Sequence, residues 1–174
     1  MTDEELYLVL RQIVMQVTGV SMCILADTNQ NAPVTDYCAI RPRAAVTERG
    51  QANVTTKTDT VNKQVVTTVR QQLIVSADCD FYRGAAIQMA GKLKQANKLP
   101  TVSGILTKAG IGWADTSSVV NLTALQSNNM EQRAQITIRL FMEEVITDSV
   151  NTIESVKVTV QNEEGVTLQS IDVP

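Results

Sequence analysis

Histidine is absent from this chain of 174 residues, and aromatic residues make up only 3% of it. The missing histidine removes the side chain best suited to proton transfer near neutral pH and the commonest nitrogen ligand for metals. The three cysteines, Cys23, Cys38 and Cys79, are odd in number and widely spaced, so they spell neither a disulfide framework nor a CxxC metal pair. They suggest a reducing compartment. Cations are short as well, with 15 Lys and Arg against 18 Asp and Glu and a net charge of −3. No surplus exists to neutralise a run of phosphates, which disfavours general binding to nucleic acid. Residues Leu6 to Val20 are partly apolar. Acidic residues precede them where a signal peptide carries positive charge, and Arg11, Gln12 and Gln16 interrupt them, so neither an export signal nor a membrane span is expected.

What is present suffices for a core. Apolar residues are 44% and charged residues 19% of the chain, and a domain of this size buries roughly 70% of its unfolded surface. A single domain over residues 1–174 is expected. Leu6, Val9, Leu10, Ile13, Val14 and Val17 recur at helical spacing, with Thr2 and Glu5 as a capping box and Gly19 as the stop. Met22 to Leu25 and Tyr37 to Ile40 read as short strands. Residues Arg41 to Lys63 mix polar side chains with scattered Val and Ala and read as a long loop or arm. Gln64 to Cys79 has a period of two, with Val65, Val69, Leu73, Val75, Ala77 and Cys79 on one face. Arg83 to Lys98 returns to helical spacing until Leu99 and Pro100, and Val102 to Ala109 forms another short helix before Gly110. Ile111 to Leu125 reads as extended.

The final third alternates most clearly. Ala134, Ile136, Ile138, Leu140 and Met142 share one face of a strand, and Arg133, Gln135, Thr137, Arg139 and Phe141 share the other. Val156, Val158 and Val160 repeat the pattern. The Glu143 to Asn151 segment is expected to join these as two antiparallel strands, with a further strand from Val166 to Ile171. The fold class is therefore α+β, a mostly antiparallel β-sheet flanked by two or three helices with long loops or arms. On this register Ile138→Asp should destabilise the fold. Thr137→Asp should be tolerated unless its face meets a neighbour.

No catalytic motif stands out. Glu143 with Glu144, and Glu163 with Glu164, read as solvated charges, because strand neighbours point to opposite faces. Asp78, Cys79 and Asp80 read as a strand end rather than half a metal site. Cys79 has no histidine to activate it and reads as a small core residue. Gly110 and Gly112 lie in neither a GxGxxG nor a GxxxxGK pattern. No enzyme, cofactor or metal is expected. Arg41, Arg43 and Arg49 form one modest basic cluster, which without interleaved aromatics suits a surface loop or subunit contact better than a single-strand binder.

Asp115, then Leu122-Thr-Ala-Leu125, then Glu131-Gln-Arg-Ala-Gln135 leading into the alternating strand, resembles the C-terminal half of the tail terminator, or neck, proteins of tailed bacteriophages. Asp59 to Asp78 is similar to the family's long polar-to-apolar strand and Ala85 to Leu93 to its following helix, while Met130 stands where an aromatic residue is common. The resemblance implies a virion protein, assembled in the host cytoplasm. It would form a homo-oligomeric, hexameric ring that closes the tail tube and docks to the head-to-tail connector. Tube and connector or neck proteins would be its partners, genomic DNA would pass without specific binding, and no membrane is involved. The candidate assembly residues are Arg41, Arg43, Arg49, Arg133, Gln135, Arg139, Glu143 and Glu144. Another neck ring, such as a head-completion or tube-like protein, and a nucleic-acid-binding accessory module are the alternatives.

Overall fold

In the computed structural model, which describes residues 1–29, 31–59, 61–126, 129–151 and 156–173, helix α1 (Asp3–Thr18) starts at the expected capping box. The Glu5 N–H donates to Thr2 Oγ1 at 3.2 Å, and the Thr2 N–H donates to Glu5 Oε2 at 2.7 Å. Gly19 ends it in the left-handed conformation at φ 75°, which a residue without Cβ adopts at little cost. Leu6, Leu10, Ile13 and Val14 are buried, with Val9 and Val17 packed beside them.

Strand β1 (Met22–Leu25) pairs in parallel with β2 (Tyr37–Glu48). β3 (Asn53–Asp59) and the 19-residue β4 (Gln64–Tyr82) form an antiparallel hairpin, and β2 pairs with the later half of β4. The tract from Arg41 to Lys63, expected as a long loop or arm, is strand over 41–48 and 53–59. Its Thr and Val residues favour strand, but β3 is mostly exposed on both faces, so no apolar alternation marks it. α2 (Ala86–Lys94) is shorter than the expected Arg83–Lys98 helix. Arg83 and Gly84 have positive φ and a separate 3₁₀ turn covers Ala96–Lys98. α3 (Pro100–Ala109) follows, with Pro100 in its first turn and Gly110 as its left-handed stop.

β5 (Gly112–Thr116), β6 (Val120–Asn121), β7 (Ala124–Gln126) and β8 (Asn129–Glu131) occupy the expected extended region and its continuation. β9 runs from Arg133 to Asn151, so Glu143 to Asn151 is strand and not a connection. β10 (Val156–Gln161) pairs antiparallel with β11 (Thr167–Val173) instead of with β9. Residues 152–155 of the expected Glu131 to Gln161 strand pair lie outside the described residues. The main sheet has the order β1-β2-β4-β9-β5, with β3 added on β4 and β6 on β9. Mostly antiparallel strands with three helices make the class α+β, as expected.

The chain divides into two compact units, Met1–Ala52 with Gln71–Glu144, and Asn53–Arg70 with Val145–Pro174. In the first, the helices cover one sheet face. Leu73, Val75, Ala77, Cys79 and Phe81 of β4 and Ala134, Ile136, Ile138, Leu140 and Met142 of β9 are buried there with α1, α2 and α3. The expected face of β9, and that of β4 from Leu73 to Cys79, pack with the helices, whereas Val65 and Val69, expected on the same face of β4, lie in the second unit and are only half-buried. The three cysteines lie in this core as free thiols. Burial and the neighbouring thiols of Cys23 and Cys79 push the Cys38 thiol well above its ordinary value. In the second unit no described residue is buried. Among the described residues no helix is long and apolar enough to cross a membrane.

Candidate functional site

The sheet face of the first unit opposite the helices is set by the same alternation that built the core. Between the buried Ala77, Cys79 and Phe81 stand Asp78, Asp80 and Tyr82, and between the buried β9 residues stand Arg133, Gln135, Thr137 and Arg139. The register places Arg41 across from Asp78, Ala39 from Asp80 and Tyr37 from Tyr82.

These side chains hold one another. Arg41 donates from Nε and Nη2 to both oxygens of Asp27, at 2.6 and 2.8 Å, and reaches to 3.7 Å from Asp78. Such a two-pronged bond fixes the guanidinium plane. It holds the Asp27 carboxyl below its ordinary value and raises Arg41 above its own. Thr137 donates its hydroxyl to Asp78 at 2.6 Å. Arg133 donates to Tyr82 Oη at 2.7 Å and lies over the Tyr82 ring, and Tyr82 stacks on Tyr37 at 4.6 Å. Arg139 grips Asp115 in the same two-pronged way, at 2.5 and 2.6 Å. Arg83 pairs with Glu131 at 3.1 Å and donates to the Pro33 carbonyl.

Asp80 is only 9% exposed. Burial raises its carboxyl above the ordinary range, and the positive charge of Arg133 opposes that shift. Asp80, Asp27, Arg41, Arg133, Tyr37 and Tyr82 share a hollow of about 220 Å³ on this face. Burial also raises the Tyr37 and Tyr82 hydroxyls above their ordinary values.

Of the eight candidate residues, Arg41, Arg133, Gln135 and Arg139 share this face, with Arg41 and Arg133 on the hollow and Arg139 paired with Asp115. Arg49 caps the Phe141 ring at 4.3 Å. Glu143 accepts from Gln72 at 3.3 Å. Arg43 lies apart, pairing with Asp3 at 2.8 Å and donating to the Met1 carbonyl at 2.8 Å. Glu144 is exposed, one residue out of phase with Glu143. Thr137 does meet a neighbour, the Asp78 carboxylate, which removes the expected tolerance of an acid at that position.

Sequence reasoning missed the four acids Asp27, Asp78, Asp80 and Asp115 and the tyrosines as parts of the face. The period of two already set Asp78 opposite the core. What paired it with β9 was the order of strands in the sheet, for which the chain carries no local signal. The face offers charge-paired guanidinium groups and stacked rings. Among the described residues no group of three or more Cys, Asp or Glu is placed to hold a metal ion. A family model described as phage neck terminator protein matches residues 4–165. No curated protein matches the chain.

Proposed function

The chain belongs to the phage neck terminator protein family, which makes it a structural protein of the virion neck, and from that premise we propose that it assembles into a hexameric ring closing the head-proximal end of the tail tube and docking to the head-to-tail connector. The observation that carries this reading is the outer sheet face. Tyrosine and arginine dominate the residues that anchor protein interfaces, and here both are held in place in advance by Asp27, Asp115 and Tyr82. Side chains already ordered lose less freedom on docking.

The same pairing argues against the nucleic-acid module. Arg41 and Arg139 are engaged with carboxylates, so phosphate would have to displace an anion already in place. Genomic DNA then passes without specific binding, and assembly takes place in the host cytoplasm. The tube protein and a connector or neck protein meet the two ends of the ring. Size-exclusion chromatography with light scattering should give the mass of a closed oligomer, and cryo-EM of virions should place it between tube and connector. A chain that stays monomeric and is missing from particles overturns the proposal.

A further inference from the structure

Charge is segregated along this chain. Residues 84–111 carry four lysines, Lys92, Lys94, Lys98 and Lys108, and no acidic residue, and all four are exposed. Residues 143–174 carry seven acidic residues and one lysine. Each region also shows apolar side chains to solvent. Among the helices Ile87 is 43% and Leu99 42% exposed, and Leu99 borders an open hollow with Val17, Gly91 and Lys92.

On the β10–β11 hairpin Val158 stands opposite Ile171, and Val160 follows on the same face. All three are exposed. Lys157, Thr159 and Ser170 take the other face. At the tip the Asn162 side-chain oxygen accepts the N–H groups of Glu164 and Val166, which fixes the turn carrying Glu163 and Glu164. A two-stranded hairpin is marginal in water by itself. This one has no buried side chain among its described residues.

We propose that the β10–β11 hairpin of one copy seats its apolar face on the α2–α3 surface of the next copy, with Glu163 and Glu164 against Lys92 and Lys94. The proposal rests on the ring reading above and names the surfaces that would build it. Charge complementarity within one sequence selects a second copy as the occupant: the cationic, partly apolar helical surface needs an anionic, partly apolar partner, and the chain supplies it. A DNA backbone would satisfy the lysines and leave Ile87 and Leu99 in water. The two patches differ, so the contact is head-to-tail and can close a ring.

The test uses two full-length variants, Lys92→Glu with Lys94→Glu, and Glu163→Lys with Glu164→Lys. All four side chains are exposed, and circular dichroism checks that each variant folds. Each alone should self-associate at least tenfold more weakly than the unmodified chain. Mixed in equal parts they should re-form rings, because each contact in an alternating ring again pairs opposite charges. Failure of the mixture while both changes in one chain restore assembly would mean that the hairpin seats on its own helices, and would overturn the proposal. Variants that assemble as well as the unmodified chain would overturn it too. So would loss of salt-dependent DNA affinity by the lysine variant with assembly unchanged. An unmodified chain that never assembles fails the ring reading itself, a different result from assembled variants.

Discussion

At residue 138 the side chain has no exposure to solvent, and at residue 137 a hydroxyl bonds a carboxylate. Ile138→Asp should cost at least about 3 kcal/mol in chemical unfolding, since it buries an unpaired charge. Thr137→Asp sets a second carboxylate beside Asp78 and should cost about 1–2 kcal/mol. Equal costs would mean that the face assignments on β9 are wrong. Asp80 gives a pH signature of known sign. Its raised pKa means that the folded chain holds the proton more tightly than the unfolded chain. The associated stability is therefore full below the ordinary value of 3.8 and is lost as pH rises through the folded value. Asp80→Asn removes that loss, so its melting temperature relative to the unmodified chain should climb between about pH 3 and about pH 7. A flat difference would show that Arg133 and Arg41 offset the burial in full.

Elements were legible where one face meets the core. The stripe of α1, the buried faces of β4 and β9, and the stops at Gly19 and Gly110 all follow from local spacing. Removing the α1 cap with Thr2→Ala should cost about 1 kcal/mol by denaturant titration. Strands exposed on both sides were not legible. β3 and the end of β9 beyond Met142 have no buried face, so Val and Thr there alternate against nothing and resemble a loop or a connection. The β10–β11 hairpin shares that exposure, and its amides in the unassembled chain should exchange at least ~100-fold faster than those of β4 from Leu73 to Phe81. Equal protection would show that the hairpin is covered within its own chain.

For the molecule as a whole, a ring-forming chain should melt at a temperature that depends on its concentration, because association stabilises only the folded form. Calorimetry at two concentrations a decade apart should show the higher midpoint at the higher concentration, and coincident midpoints would count against assembly. The outer sheet face was half legible. Its arginines stood out in the sequence, while the acids and rings that orient them come from the turn after β1 and from β2, β4 and β5, and meet only in the folded sheet. A neck protein leaves its host with the particle and enters water in equilibrium with air. Cys23, Cys38 and Cys79 are at most 4% exposed, and the protonated form favoured at Cys38 is the unreactive one. The protein thus carries its thiols into an oxidising world behind a wall of packed side chains, so the particle can age there without cross-linking through them.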